Sequence, residues 1–447
     1  MSVSQTGTIF APATATGRAG VAVYRLSGPA AREAITRLCH PNQLPEPRQA
    51  SLRTLVDPVT DDVIDHALVL WFPGPGSFTG EDVVEFQTHG GRAVADTLLR
   101  VLAALPGFAL AEPGAFTRRA FENGRLDLTE AEAIADLVHA ETEAQRKQAL
   151  RQMRGALGAL YQNWHDRLKT ILAYCEASID FADEELPDDL MQAQRGQLQT
   201  LSTDIQQHLA DGHRGERIRD GLSIAILGAP NAGKSSLLNK LAAREAAIVS
   251  PIAGTTRDVV EVQLDLGGYA VSLADTAGLR ETADVIENEG VRRALARAEK
   301  ADIKILVYDA GQAADAATDA LHDNDSLIVF NKVDTLNDAA RNALRHNAHA
   351  CLISAETGEG LAEFTRLLIG LIAARYPTGG AAPLTRARHR QAIEEATEHL
   401  TRATGATEAA LMAEDVRLAM RALGRVTGRV DVEDLLDIIF RDFCIGK

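Results

Sequence analysis

The sequence predicts a multidomain protein of combined α+β and α/β class. Its expected parts are an N-terminal α+β domain, a helical-bundle domain split in two, and a doubly wound α/β module with a phosphate-binding loop inserted between the helical parts. Three observations predict this. First, the apolar run Leu222 to Leu227 leads into Gly228 to Ser236 (GAPNAGKSS), and the periodic segment Leu237 Leu238 Asn239 Lys240 Leu241 follows. Strand, glycine-rich turn and helix start, in that order, form a phosphate-binding loop. Second, short strand-like runs alternate with helical patterns before residue 118. Third, from Thr129 the apolar period becomes three to four residues, and it resumes from Leu384 to Phe443.

In the first segment, strands are expected at Thr8 to Pro12, Val21 to Leu26, Ala67 to Phe72 and Val83 to Thr88, with helices near Ala30 to Leu38 and Arg92 to Leu102. Pro73 Gly74 Pro75 Gly76 Ser77 marks a turn. Arg25 and Glu85 fall inside two of the strands, where a charge usually faces solvent. Leu150, Met153, Leu157, Leu160, Trp164, Leu168, Ile171 and Cys175 form an apolar stripe of about seven turns, which suggests a bundle or an extended arm. The acidic break Asp183 Glu184 Glu185 Leu186 Pro187 ends it, and Gln197 to Leu209 predicts another helix. The nucleotide module spans about Arg219 to Arg375, and a Gly/Pro-rich linker from Pro377 to Pro383 returns the chain to helix. The helices on either side share one character, so they read as one domain interrupted by the module. The expected boundaries are 1–118, 119–218, 219–378 and 379–447.

The loop Gly228 to Ser236 offers backbone N–H groups and a helix N-terminus to an anion. Asn231, Ala232, Gly233, Lys234, Ser235 and Ser236 are its expected phosphate-binding residues: Lys234 neutralises β/γ-phosphate charge and the Ser235 hydroxyl ligates Mg²⁺. Asp275 Thr276 Ala277 Gly278 follows the alternation Val271 to Ala274, as a metal-binding carboxylate at a strand end would. Leu327 to Phe330 leads into Asn331 Lys332 Val333 Asp334, whose Asp carboxylate can accept both the ring N–H and the exocyclic amine of guanine. Cys351 Leu352 Ile353 runs into Ser354 Ala355 Glu356, a backbone contact for the guanine carbonyl. These four motifs, in order, resemble the translation-factor-type GTPase domain.

Composition excludes other classes. No apolar run approaches the ~20 residues that span a bilayer, and MSVSQTGTIF lacks the basic and apolar regions of a secretory signal. Cys39, Cys175, Cys351 and Cys444 show neither metal spacing nor pairing logic, so a reduced cytoplasmic home is expected. A net charge of −16 argues against indiscriminate nucleic-acid binding. Local basic patches remain candidates at Arg386 Ala387 Arg388 His389 Arg390 and at Arg118 Arg119, against the plainer reading of solvated helix faces.

The module departs from small signalling GTPases in two ways. After Gly278 comes Leu279, where those proteins place a water-orienting glutamine. Glu281, Glu287 and Glu289 in the following polar stretch are the alternatives for polarising water. Ser250 Pro251 Ile252 Ala253 Gly254 Thr255 Thr256 Arg257 Asp258 is the expected first switch, with Thr256 placed to reach Mg²⁺. Asn231 offers a carbonyl-type oxygen for a monovalent cation beside the phosphates, or serves only as a turn residue.

Over essentially its whole length the chain resembles the MnmE (TrmE) family of tRNA-modification GTPases. The resemblance rests on Gly17 to Gly28 (GRAGVAVYRLSG), Phe72 to Asp82 (FPGPGSFTGED), the GTTRD of the first switch and the terminal Phe443 Cys444 Ile445 Gly446 Lys447. It implies an N-terminal domain that dimerises and binds 5-formyl-tetrahydrofolate or a related folate, a split helical domain and an inserted G domain. It further implies a homodimer that works with an FAD-containing partner, MnmG (GidA), on tRNA, installing an aminomethyl-type group such as carboxymethylaminomethyl on carbon five of the wobble uridine. Folate contacts fall on positions matching Arg25, Glu85, Arg125 and Lys447. At Arg125 the family often has lysine, which keeps the charge but changes the hydrogen-bond geometry. The implied K⁺ site matches Asn231, Ser250, Ile252 and Thr255, and the implied catalytic residues are Glu287 for hydrolysis and Cys444 for modification. G domains that pair across the nucleotide in K⁺ would account for Leu279. The rival reading is a GTP-switched ribosome-assembly or RNA-binding factor of the Era or Der type, which leaves the N-terminal block and FCIGK unexplained.

Overall fold

In a computed structural model the described residues are 7–181, 190–211, 213–248, 261–275, 299–345, 350–380, 382–430, 432–441 and 443–447. They form two compact units, one of residues 1–135, 152–199 and 395–447, the other of 136–151 and 200–394.

The first unit carries a seven-stranded sheet: β1 (Thr8–Pro12), β2 (Ala19–Ser27), β3 (Cys39–His40), β4 (Ser51–Val56), β5 (Val63–Phe72), β6 (Val83–Gly90) and β7 (Phe108–Leu110), in the order β3-β4-β5-β6-β2-β1-β7. All neighbours are antiparallel except β1 and β7. Helices Ala31–Leu38 and Arg92–Ala103 bury Ile35, Leu38, Leu98 and Leu102 against Phe10, Leu26, Val69 and Phe86 of the sheet. The four expected strands and two expected helices are present, and β5 begins four residues earlier, at Val63. Strand β4 was not anticipated, because Ser51, Arg53 and Thr54 mask its alternation.

The expected stripe from Leu150 to Cys175 is not one helix. Gly155, at φ 78°, turns the chain between Glu143–Met153 and Ala156–Asp180. Only a residue without Cβ takes that left-handed conformation readily. Helix Ala156–Asp180 packs along Ala409–Thr427, with Arg417 donating to Glu176 at 2.9 Å. The helices flanking the nucleotide module in sequence therefore share one bundle. Phe440 and Phe443 close a smaller core with Leu128 and Ala131.

Arg119, in helix Ala115–Glu122, is 6 % exposed. It donates to the Ser27 carbonyl (2.9 Å), the Gly7 carbonyl (2.8 Å) and Glu81 Oε2 (2.8 Å). Ser27 Oγ donates to the same Glu81 oxygen at 2.8 Å and shares a hydrogen bond with Thr79 Oγ1. A buried cation is tolerated only with such partners. The proposed surface pair Arg118 Arg119 is thus no basic patch. Arg119 is a core tether, and Arg118 pairs with Asp437 at 2.7 Å.

The second unit holds a seven-stranded mixed sheet: β8 (Leu222–Leu227), β9 (Ala246–Ala247), β10 (Glu261–Leu266), β11 (Tyr269–Asp275), β12 (Ile303–Asp309), β13 (Ser326–Asn331) and β14 (Ala350–Leu352). The order is β14-β13-β12-β8-β11-β10-β9, with β8 central and parallel to both β11 and β12. A strand covered on both faces needs a continuous apolar run, which LSIAIL supplies. The Arg386–Arg390 segment is likewise not a solvated basic patch: Arg386 pairs with Asp136 at 2.6 Å, Arg390 with Asp211 at 2.7 Å, and His389 is fully buried. The expected boundaries 118/119 and 218/219 fall within helices Ala115–Glu122 and Arg214–Asp220.

Candidate functional site

At the carboxyl end of β8 the chain turns at Gly228 (φ 154°), where a Cβ would stand 2.2 Å from the Val307 carbonyl oxygen. Only glycine lets the loop leave the sheet there. Asn231 sits exposed in the left-handed region (φ 61°). Helix Lys234–Arg244 then begins, directing its N-terminal N–H groups into the loop. Lys234 is only 7 % exposed, and its Nζ donates to the Gly228 and Ala229 carbonyls at 2.8 Å each. Its charge is therefore held inside the loop, where phosphate oxygens would compete for the same protons. Ser235 and Ser236 are exposed on the first turn, and Ala232 is buried.

Asn331 ends β13 and is 2 % exposed. Its Nδ2 donates to the Ala232 carbonyl at 2.8 Å, and its Oδ1 accepts the Ala355 N–H at 2.9 Å. One amide thus joins the phosphate loop, the NKVD turn and the SAE turn. Gly233 makes room for it, since a Cβ there would lie 2.1 Å from Asn331 Nδ2. Reading NKVD as a base-recognition motif gave Asn331 a share in contacting guanine. Both its polar atoms are engaged by the protein, Nδ2 through one of its two N–H groups, and Asp334, three residues later, is exposed.

The NKVD turn is fixed by local bonds. Lys332 adopts φ 63°, and its carbonyl accepts from Thr335 Oγ1 at 2.8 Å. Buried Val333 donates its N–H to Ile353, and Arg341 donates to the Val333 carbonyl. Lys332 Nζ donates to Asp309 Oδ2 at 2.7 Å. Burial pushes the Asp309 carboxyl up, but the Lys332 and Gly311 hydrogen bonds and the lysine charge outweigh it and leave the pKa below the ordinary range. Ser354 is fully buried, its Oγ accepting from the Thr357 N–H, while Glu356 is exposed.

Ser250, Pro251, Ile252, Ala253, Gly254, Thr255, Thr256, Thr276, Ala277, Gly278 and Glu287 lie outside the described residues, as does the side chain of Asp275 at the end of β11. Of the expected phosphate, base and metal ligands, the structure therefore places those of the phosphate loop, the NKVD turn and the SAE turn.

A second cluster lies in the first unit. Arg25 and Glu85 are cross-strand partners on β2 and β6, with Arg25 Nε donating to Glu85 Oε1 at 3.0 Å. The guanidinium also reaches the Gly446 carbonyl at 3.3 Å and stands 5.9 Å from the ring centres of both Phe78 and Phe116. Gly446 (φ 93°) approaches so closely that a Cβ would lie 2.2 Å from the Pro12 carbonyl oxygen. That contact seats the C-terminal pentapeptide on β1. Burial and the Arg25 charge pull the Lys447 ammonium below its ordinary pKa, while Cys444 and Glu85 oppose the change. Cys444 is exposed, whereas Cys39, Cys175 and Cys351 are buried, the thiols of Cys39 and Cys351 pushed up to about 12 and about 11. Exposed Arg125 lies against the same turn, a Cβ at Gly80 being 3.4 Å from its Cγ. Sequence reasoning missed two members of these sites. Asp309 was legible as a carboxylate closing an apolar strand, and Arg119 had no signal beyond its charge.

A central parallel strand, a lysine-bearing phosphate loop and an asparagine-bridged base turn define a P-loop nucleotide-binding module. The family descriptions "GTP-binding protein TrmE N-terminus" and "MnmE helical domain" match residues 8–125 and 128–444. The chain is 55 % identical to the tRNA modification GTPase MnmE of Parvibaculum lavamentivorans, over 98 % of this chain and 100 % of that one. It is 54 % identical to the protein of the same name in Rhodospirillum rubrum, over 98 % and 99 % of the two chains. It is also 47 % identical to the mitochondrial 5-taurinomethyluridine-[tRNA] synthase subunit GTPB3 of Danio rerio, over 98 % and 93 %. The chain belongs to the MnmE (TrmE) family. No helix among the described residues is long and apolar enough to cross a membrane.

The Asn331 bridge separates two roles experimentally. Asn331→Ala should destabilise the nucleotide-free protein by about 2 kcal/mol or more, because it strands a buried acceptor and a buried donor. Asp334→Ala, at an exposed site, should change stability by less than about 0.5 kcal/mol while weakening guanine-nucleotide binding. Urea unfolding without nucleotide and calorimetric titration with GDP check both; equal stability losses would contradict the division.

Proposed function

We propose that this chain is a GTPase acting in tRNA modification, its N-terminal part a folate-binding and dimerising domain, followed by a helical domain in two parts that flank an inserted G domain. The observation that carries this reading is the Asn331-bridged cradle at the carboxyl edge of the second sheet, in a chain matched end to end by tRNA modification GTPases. Full-length similarity of this kind favours it over a ribosome-assembly factor of the Era or Der type.

In the proposed cycle Lys234 exchanges its loop carbonyls for β/γ-phosphate oxygens, and Asp334 accepts from the guanine edge. Ser235 is exposed at the helix start, which fits a Mg²⁺ ligand. Thr256 would join it directly and Asp275 through water. Glu287 orients the attacking water in place of the glutamine that Leu279 replaces. The exposed carbonyl-type oxygen of Asn231 fits a K⁺ ligand beside the phosphates, with Ser250, Ile252 and Thr255 completing the set. K⁺ would supply the charge that an arginine provides elsewhere and favour pairing of two G domains in a homodimer.

The Arg25, Glu85 and Lys447 cluster fits a folate: Glu85 can accept from pterin N–H groups, while the cations and the exposed Arg125 suit its carboxylates. A bound formyl-folate would supply the one-carbon unit. Cys444, exposed beside this cluster, would act with the FAD-containing partner MnmG on the wobble uridine, in the cytoplasm.

Two experiments test the reading. Mass spectrometry of tRNA from a host lacking the chain should show the wobble uridine unmodified at carbon five; the wild-type chain should restore it and Cys444→Ala should not. An unaltered nucleoside profile in the deletion host would refute the assignment. GTP hydrolysis should run on the order of tenfold faster or more in K⁺ than in Na⁺, and Asn231→Ala should remove the difference. Equal rates in the two salts would take Asn231 out of the mechanism.

A further inference from the structure

We propose that Asp309 is a positioning residue for guanine-nucleotide binding, holding the Lys332 ammonium so that the lysine stem stands as a fixed wall of the base slot. This rests on the GTPase reading above and names a residue outside the four motifs.

The placement comes from the sheet. Strands β12 and β13 are parallel and in register, with Asp309 opposite Asn331 at their carboxyl ends. In open α/β sheets ligands bind outside that edge, and Asn331 already ties it to the phosphate loop. The Ala310 N–H donates to the Asn331 carbonyl at 2.9 Å, so the chain leaving Asp309 stays against the NKVD turn. The Asp309 side chain is 13 % exposed, and its Oδ2 accepts from Lys332 Nζ at 2.7 Å and from Gln312 Nε2 at 3.2 Å. Its Oδ1 accepts the Gly311 N–H at 3.0 Å.

Lys332 is consequently pinned at both ends. Its backbone is held in the left-handed region (φ 63°, ψ 32°) by the Thr335 N–H and hydroxyl on its own carbonyl and by the Val333–Ile353 bond. Its ammonium is held by Asp309. Between those points the four-carbon stem has few rotamers left, and it lies two residues from Asp334. Lysine carries more side-chain freedom than most residues. Losing that freedom in the fold rather than on binding favours the nucleotide complex. Asp309 has a competing plain role, making the turn that bonds Gly311, and that role needs only one side-chain oxygen.

Asp309→Asn tells the two apart, because an asparagine keeps the acceptor for Gly311 and loses the charge on Lys332. In the full-length chain we expect the Kd for GDP and the KM for GTP to rise about tenfold, with kcat within about twofold of wild type. Lys332→Met, which keeps the stem and removes the ammonium, should give the same loss. Adding Asp309→Asn to it should change nothing further, since the two act as one unit. Unchanged KM and Kd in either single variant would overturn the proposal, as would a fall in kcat alone or a full further loss in the double variant. A wild-type chain that binds no guanine nucleotide would overturn the GTPase reading as well, so the two failures are distinguishable.

Discussion

A single buried amide organises the nucleotide edge. The Asn331 side chain accepts from one loop and donates to another, and the backbone beneath it ends the strand between them. Each bond replaces one that water would otherwise make, so its net gain is modest, while breaking it in a buried site costs about 1–3 kcal/mol. That asymmetry makes the arrangement selective. Loop positions that leave either group unsatisfied are penalised. The glycine at 233 is the steric counterpart, because any side chain there would occupy the space of the amide.

The first unit solves a similar problem with a charge. Arg119 gathers Gly7, Ser27 and Glu81, and through Ser27 and Thr79 it holds the turn that carries Phe78 toward Arg25. Buried charge is expensive, and here three guanidinium bonds go to two carbonyls and a carboxylate. The C-terminal pentapeptide is then fitted by close approach at Gly446 and by the Arg25 bond to its carbonyl. In both units a buried polar residue ties together the loops around it. The helical elements contribute differently, through apolar packing and peripheral ion pairs such as Arg417 with Glu176.

Much of this was legible in the sequence for identifiable reasons. LSIAIL followed by GAPNAGKSS can hardly be anything but a buried strand and a phosphate loop, since period, glycine placement and lysine all agree. NKVD and SAE marked in the same way the two turns that the Asn331 side chain joins. The break at Gly155 was hidden because an apolar stripe continues across it, and periodicity reports which face is buried, not whether the backbone is continuous. The arginines misled for a similar reason. Charge in a sequence does not show its partners, so Arg119, Arg386 and Arg390 looked like surface when Glu81, Asp136 and Asp211 wait for them in the fold. Arg25 and Glu85 were visible only as charges within strands; their cross-strand register made them a pair.

The central claim is that Asn331 holds the loops of the nucleotide cradle together through the protein's own contacts. Amide hydrogen exchange at Ala355 in the nucleotide-free protein tests it most directly. The account predicts exchange slowed by several orders of magnitude relative to an open chain, as for a core amide. Exchange at open-chain rates, slowed only when GTP is added, would contradict it.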